Sequence, residues 1–230
     1  MRSLGFALGN RLVLTLSLAF LLDSYAAPAQ QHAATECSRN CDSGIENFHE
    51  VASGILWRGA KPDPAGAAWL IQHGVKTIVN LEVLHDDQEV FRQASFVGAA
   101  KSEIDYFRIA DWEPNAVIAQ SLLDNHVAHF LAVLNQEPKP IYVHCRSGQN
   151  RTGVMVAAYK VIVENASADD AIEDMKSYQG IWFAADADYI RSLSSERITK
   201  IREMMQVWIP KLKAESRIVC ENAKCDIVDL

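Results

Sequence analysis

The stretch IYVHCRSGQNRTG, residues 141–153, organises the chain because it reads as a short buried strand, a tight polar turn and the start of a helix. Its first three residues are apolar, and the segment VMVAAYKVIV that follows has the apolar density of a buried helix. A turn between two such elements aims successive backbone N–H groups, and the positive end of the helix dipole, at one point. The pattern therefore predicts a loop that holds a phosphate.

Cys145 and Arg151 supply the reactive groups of this loop. The field that attracts an anion also stabilises a thiolate, so we expect Cys145 to be a nucleophile at neutral pH. Arg151, six residues further on, can direct its guanidinium fork at two phosphate oxygens. Together they predict phosphoryl transfer with the cysteine as covalent carrier.

The string HCRSGQNRTG resembles the HCxxGxxRTG signature of the cysteine-dependent protein tyrosine phosphatases, in their compact dual-specificity branch. Weaker similarity through LWRGAKPD and HGVKTIVNLE extends the resemblance over roughly residues 54–165. It implies that Arg151 binds the equatorial charge, that Thr152 stabilises the departing thiolate, and that no metal or cofactor is required. It also implies that the other loop residues orient the loop and bind substrate: His144, Arg146, Ser147, Gly148, Gln149 and Asn150.

The segment before the loop predicts a parallel crossover unit. A strand over residues 104–110, a helix over about residues 115–134 and the strand containing residues 141–144 should form a right-handed β–α–β unit. The two strands then end at the same edge of the sheet, which is where ligands bind in open α/β folds. Asp111 follows the first strand as Cys145 follows the second. The apolar side of the helix is expected to contain Ile118, Leu122, Val127, Phe130 and Leu134.

This placement makes Asp111 the leading candidate for the general acid that protonates the leaving oxygen. It lies in ADWEPNA and not in the Trp-Pro-Asp string of larger tyrosine phosphatases, so Glu113 and Asp105 remain alternatives. A further alternative is that Asp111 only caps the following helix. Trp112 is expected at the rim of the substrate pocket. His126 and His129 are interpreted as surface positions without a role.

The rest of the middle of the chain alternates helices and strands. Asp63 and Pro64 predict a helix start that runs to Gly74, with the aspartate as N-cap. Residues 75–81 predict a buried strand, and the segment near residues 87–100 a helix. The predicted fold class is α/β, with a central, mostly parallel sheet flanked by helices, as in the dual-specificity phosphatases.

The amino terminus reads as an export signal. Residues 1–29 contain two arginines, Arg2 and Arg11, ahead of the apolar run LVLTLSLAFLL and end in small residues. That run is shorter than the roughly 20 residues of a membrane span. We expect cleavage after Ala29 or Ala26, an exported periplasmic or secreted protein, and no membrane contact after cleavage. An uncleaved anchor or a buried helix is the alternative.

Four of the five cysteines lie in short extensions on either side of the expected catalytic domain, residues 45–213. One pair falls in residues 30–44 and the other in residues 214–230: Cys37, Cys41, Cys220 and Cys225. In an oxidising compartment they should form two disulfides, and three connectivities are open. A four-cysteine zinc site is the alternative.

The formal net charge of −7 argues against nucleic acid as a partner. The short domain implies a shallow pocket, so the expected partner is a protein carrying phosphotyrosine, with phosphoserine and phosphothreonine as further substrates. Small phosphomonoesters such as inositol phosphates are the alternative, made less favourable because the loop carries Arg146 and no lysine. A non-catalytic phosphate-binding module is a third hypothesis. The sequence does not indicate an oligomeric state.

Overall fold

A seven-stranded mixed sheet forms the centre of the molecule. The computed structural model describes residues 43–97, 101–178 and 180–230. Its strands and helices, apart from a short 3₁₀ turn at Ile209–Lys211, are β1 (His49–Ala52), β2 (Leu56–Ala60), α1 (Pro64–Gln72), β3 (Thr77–Asn80), α2 (Gln88–Gln93), β4 (Ser102–Arg108), α3 (Asn115–Ile118), α4 (Gln120–Gln136), β5 (Ile141–Cys145), α5 (Asn150–Ile162), α6 (Ala168–Lys176), α7 (Phe183–Arg191), α8 (Ser195–Trp208), β6 (Ser216–Glu221) and β7 (Lys224–Asp229).

The strands are arranged in the order β1-β2-β5-β3-β4-β6-β7. The four in the middle, β2, β5, β3 and β4, run parallel to one another, and the flanking strands are antiparallel. The predicted α/β class with a mostly parallel sheet is therefore confirmed. Because β4 and β5 are both parallel to β3, they end at the same edge of the sheet, as the sequence predicted.

The central strand β5 is buried along its whole length, as a parallel strand covered on both faces should be. Its side chains alternate between two hydrophobic clusters. Ile141, Val143 and Cys145 join the cluster that contains α4 and α5, and Tyr142 joins the cluster that contains α1 and α2. This alternation brings the cysteine to the side of the sheet from which α5 departs.

The first helix begins as the sequence predicts. Asp63 Oδ1 accepts a hydrogen bond from the N–H of Gly66 at 2.7 Å, and Pro64 occupies the first helical position. The helix ends at Gln72, and Gly74 follows with φ of +82°. The predicted strand after it is confirmed but shorter, at Thr77–Asn80.

Two helical predictions are wrong in their extent. Near residues 87–100 the helix covers only Gln88–Gln93, and residues 98–100 lie outside the described part of the chain. The single helix expected at residues 115–134 is broken at Ala119, whose φ and ψ are −144° and 51°. The short piece before the break packs against α7, so tertiary contacts override the local pattern.

The break also changes which residues of this segment are buried. Ile118 and Leu122, expected on the apolar side, are 67% and 45% exposed. The buried stripe of α4 instead begins at Leu123 and continues through Val127 and Phe130.

The carboxy-terminal residues extend the sheet. Strands β6 and β7 form a hairpin that pairs with β4, and a disulfide joins Cys220 to Cys225 across it. Of the three connectivities considered, this bond is compatible only with the one that pairs the cysteines within each extension. It is incompatible with a zinc site that needs all four thiolates. Cys37 and Cys41, like the expected export signal, lie outside the described residues. No helix in the described ranges has the length and apolarity needed to cross a membrane.

Candidate active site

The turn between β5 and α5 is oriented by hydrogen bonds to its carbonyl groups. All three carbonyls of residues 146–148 accept a bond from outside the turn. The donors are the backbone N–H of Lys61 at 3.2 Å, the side-chain amide of Asn47 at 2.8 Å and the buried guanidinium of Arg58. A peptide N–H points away from its own C=O, so the N–H groups that follow these carbonyls face the inside of the turn. They form the concave donor set that the sequence predicts.

The tight packing of this turn requires glycine at position 148. Gly148 has φ of +70°, and a Cβ at this position would overlap the backbone of Gly59 and Ala60. Beneath the turn, the guanidinium carbon of Arg58 lies 3.8 Å from the centre of the Tyr178 ring. Burial lowers the pKa of Arg58, and the neighbouring Tyr178 opposes that shift. A buried cation thus supports the turn from behind.

Arg151 connects the turn to the segment after β4. Its Nη1 donates to the carbonyls of Leu81 at 3.0 Å and Asp111 at 3.2 Å, and its Nη2 lies 2.8 Å from Oε1 of Glu113. Cys145 is a free thiol, 2% exposed, at the end of β5. The structure therefore brings the predicted nucleophile, the arginine and the candidate acid segment to one edge of the sheet.

Several buried polar atoms around the turn have no hydrogen-bond partner among the described residues. They include Nε of Arg151, Oγ1 of Thr152, and Nε and Nη1 of Arg58. A buried donor without a partner costs about 1–3 kcal/mol, and an oxyanion held in the turn would supply an acceptor for Nε of Arg151. The Thr152 hydroxyl is therefore not hydrogen-bonded to Cys145 in this structure.

His144 is buried behind the turn, where its ring contacts a carboxylate that the sequence did not indicate. Its Nε2 lies 2.8 Å from Oδ2 of Asp87, and Nζ of Lys61 lies 3.5 Å from Oδ1 of the same side chain. Burial alone would favour the neutral carboxyl, but the attraction of His144 and Lys61 keeps the pKa of Asp87 below its usual value. The Tyr106 hydroxyl accepts the N–H of Asp87 at 3.1 Å and fixes its backbone.

Asp111 is 2% exposed, and its Oδ1 takes part in two hydrogen bonds. Nδ2 of Asn115 and Nδ1 of His126 both lie 2.9 Å away. Neither α3 nor α4 has a side-chain cap, so the alternative that Asp111 merely caps the next helix is wrong.

The two other acid candidates have different partners. Glu113 forms its ion pair with Arg151. Asp105 lies in the middle of β4, where its Oδ1 accepts from Nε of Arg217 at 2.7 Å. Trp112, beside Asp111, is 55% exposed, which suits a rim position.

Both histidines interpreted as surface residues are partly buried, so that interpretation is wrong. His126 is 14% exposed and contacts Asp111, and His129 stacks on Trp208 with ring centres 4.0 Å apart. Burial lowers the pKa of His129 to about 4. A signal for His126 exists in the sequence, because it stands three residues after Leu123 and one before Val127, within the buried stripe.

Asn150 meets a second buried carboxylate that the sequence did not indicate. Its Nδ2 donates to Oδ2 of Asp186 at 3.0 Å, and burial raises the pKa of Asp186 to about 6. Gly180 packs so closely on Asn150 that a Cβ there would overlap the amide. The remaining predicted loop residues, Arg146, Ser147 and Gln149, are exposed or partly exposed around the turn.

The sequence comparisons agree with this geometry. Residues 31–191 match the family described as DSP-PTPase phosphatase fused to NAD+ kinase. Dual specificity protein phosphatase TpbA of Pseudomonas aeruginosa is 26% identical over 169 residues, which are 71% of this chain and 71% of TpbA. The RNA/RNP complex-1-interacting phosphatase homolog of Caenorhabditis elegans is 28% identical over 127 residues, 48% of this chain and 52% of that protein. The chain thus spans about half the length of the nematode relative.

Two solved structures share the fold. The crystal structure of P. aeruginosa TpbA has a TM-score of 0.56 at 21% identity, covering 73% of this chain and 95% of that one. The core catalytic domain of the PP-IP phosphatase SIW14 from S. cerevisiae has a TM-score of 0.53 at 21% identity, covering 72% and 96%. The fold expected from the sequence resemblance is confirmed.

Substituting Gly148 should disrupt the turn more than substituting an equally left-handed glycine elsewhere. The new methyl group of Gly148→Ala meets backbone atoms, whereas at Gly54, with φ of +64°, it would have no atom within 4 Å. We expect Gly54→Ala to lower the free energy of unfolding by about 1 kcal/mol and Gly148→Ala by about 3 kcal/mol. Urea denaturation of both variants measures this, and equal losses would contradict the packing requirement.

Asp186 should make the stability of the protein depend on pH. Its pKa is about 6 in the folded protein, above the unfolded value of about 4, so its stabilising contribution is full below pH 4 and is lost as pH rises through 6. Asp186→Asn cannot ionise, and its stability relative to wild type should rise by about 2 kcal/mol between pH 4 and pH 8. Denaturation at both pH values tests this. The exposed Asp188→Asn on the same helix is the control, and a matching pH trend there would contradict the assignment.

Proposed function

The chain belongs to the DSP-PTPase phosphatase family, and from this premise we propose that it hydrolyses phosphotyrosine monoesters through a phosphocysteine intermediate. Phosphoserine and phosphothreonine peptides fall within the proposed substrate range, and the physiological partner would be a phosphorylated protein. TpbA, its dual-specificity relative, has been crystallised with pTyr, which supports the choice of substrate.

One observation carries the proposal: the turn presents a set of donors around a free thiol. The carbonyls of residues 146–148 are held on the outside, so their N–H partners face inward. Nε of Arg151 adds a buried donor that has no partner among the described residues. Such a set suits a tetrahedral oxyanion next to the Cys145 sulfur, and it stabilises charge that develops during transfer.

In the first chemical step, the thiolate of Cys145 attacks phosphorus. The Sγ–P bond forms while the bond between phosphorus and the phenolic oxygen breaks, and Asp111 gives its proton to the leaving oxygen. Arg151 holds the equatorial oxygens throughout, and its ion pair with Glu113 keeps its guanidinium beside the acid segment.

In the second step, water attacks the phosphocysteine. Asp111 now accepts a proton from the water, the Sγ–P bond breaks, and inorganic phosphate leaves. The Thr152 hydroxyl is the proposed donor to the returning thiolate. Both steps use only side chains of this chain and solvent.

The proposed pocket rim favours an aromatic leaving group. Trp112 adjoins the buried Asp111 and exposes 55% of its surface, so its ring is available to stack on a phenyl group. Arg146 is an exposed cation on the turn and is the residue through which a more highly charged phosphate, such as an inositol phosphate, would be recognised.

The test compares aryl phosphate, phosphopeptides and inositol phosphates with wild type and two variants. Cys145→Ser should abolish turnover because the alkoxide nucleophile is not formed at neutral pH, and Arg151→Lys should lower kcat by about 10²–10³ because the fork is lost. Arg191→Lys, an exposed arginine paired with Asp188, is the matched control and should leave turnover unchanged. If wild type hydrolyses none of these esters, or if Cys145→Ser retains activity, the proposed reaction is wrong.

We also propose that the mature protein is exported to the periplasm or secreted. The apolar run within residues 1–29 supports this, and so does the disulfide between Cys220 and Cys225, a bond that persists in oxidising compartments. Mass spectrometry of the protein from fractionated cells should find a mature chain beginning at Gln30 or Ala27. Recovery of the chain in the cytoplasm with Met1 intact would contradict export.

A further inference from the structure

Two side chains from different helices converge on one oxygen of Asp111. Asn115 belongs to α3 and His126 to α4, and each places a nitrogen 2.9 Å from Oδ1. The side chain of His126 is 14% exposed and that of Asp111 is 3% exposed, so the hydrogen bonds are shielded from water. The break at Ala119 separates the two helices and lets both reach the same carboxyl group.

Hydrogen-bond chemistry distinguishes the two oxygens of this carboxyl group. The Asn115 amide nitrogen can only donate, so Oδ1 is an acceptor. His126 also donates to Oδ1 when Nδ1 carries hydrogen, as it does in the Nδ1–H tautomer of the neutral ring and in the charged form. A carboxylic acid carries one hydrogen, on one of its two oxygens. Protonation is less favourable on an oxygen that already accepts two hydrogen bonds than on the other oxygen. The proton to be transferred therefore belongs on Oδ2.

We propose that His126 is a positioning residue for the general acid. With Asn115, it fixes Oδ1 of Asp111 as acceptor, sets the rotation of the carboxyl group and leaves Oδ2 to carry the proton to the leaving oxygen. This rests on the proposed phosphatase reaction, and it adds a residue outside the signature loop to that reaction. His126 does not touch the substrate; it acts through Asp111.

Other charged and titratable groups surround the pair, and the test must not depend on them. They are Arg151 of α5 and Glu113 of the acid segment, Asp186 and Tyr189 of α7, and His129 of α4 itself. A comparison of leaving groups at one fixed pH keeps their charge states constant. Poor leaving groups need the acid, whereas good ones depart with little help, so the ratio of the two kcat/KM values reports on the acid in the first step.

The experiment measures kcat/KM, which reports the first step alone, for phenyl phosphate and para-nitrophenyl phosphate with His126→Ala and His126→Asn. Loss of the donor in His126→Ala should lower kcat/KM for phenyl phosphate by about tenfold, part of the hundredfold or more that a general acid contributes, and change kcat/KM for the para-nitrophenyl ester by less than about twofold. In His126→Asn the side-chain amide occupies the place of Nδ1 and should restore most of the loss. The exposed His85→Ala is the control and should leave both rates unchanged.

A double-mutant comparison separates positioning from a general structural effect. In the Asp111→Asn background, His126→Ala should cause no further loss with phenyl phosphate, because the group it positions is already absent. Equal losses with both esters, no recovery in His126→Asn, or a further loss in the double variant would each overturn the proposal.

The failure of this proposal is distinguishable from that of the phosphatase reaction itself. If wild type hydrolyses neither ester, the reaction is wrong. The positioning contact is then judged by ¹⁵N NMR of the imidazole, which should show hydrogen on Nδ1 in wild type and lose that preference in Asp111→Ala. An imidazole with hydrogen on Nε2 alone in wild type would overturn the contact.

Discussion

The site depends on the outward orientation of the carbonyl groups of residues 146–148. Arg58, Asn47 and Lys61 each hold one of them, and all three donors come from the segment around β1 and β2. The turn therefore keeps its inward-facing N–H groups without any ligand, which is the preorganisation that an oxyanion site needs. Gly148 allows this close approach because it brings backbone directly onto backbone. The strand register, in which Ala60 pairs with Cys145, aligns the support with the nucleophile.

The charges around the turn are arranged in two layers. Behind it lie Arg58, stacked on Tyr178, and the buried pair of His144 with Asp87. In front, Arg151 ties the turn to the carbonyl of Asp111. The cations of both layers lie close to the end of β5, so they favour a negative ligand at that point. The compensating carboxylate of Asp87 is kept behind the turn, where it does not repel an incoming phosphate.

Local signals in the sequence are enough to predict the elements whose conformation is determined by residues close by in the chain. The strand, turn and helix of residues 141–153 and the capped start of α1 depend on neighbours within a few residues, and both are predicted correctly. The supporting residues cannot be found in this way. Arg58 lies 90 positions from Gly148, and Asn47 lies 100 from Ser147, so their roles become visible only when the sheet brings distant strands together. The pairing of the β6–β7 hairpin with β4 is missed for the same reason, because β4 lies far from it in the sequence.

The acid segment contains a contact that the local pattern could not predict. In one continuous helix over residues 115–134, His126 would follow Leu122 by one turn and lie on the same side, so periodicity does not exclude its burial; the polarity of its side chain is the basis of the surface interpretation. The break at Ala119 leaves Leu122 exposed and shifts the buried stripe to Leu123 and Val127, and His126 is partly buried beside that stripe. In a continuous helix Asn115 and His126 would lie about 16 Å apart along the axis, too far for both to contact one carboxyl group. The interruption of the helix is therefore what allows both side chains to reach Asp111.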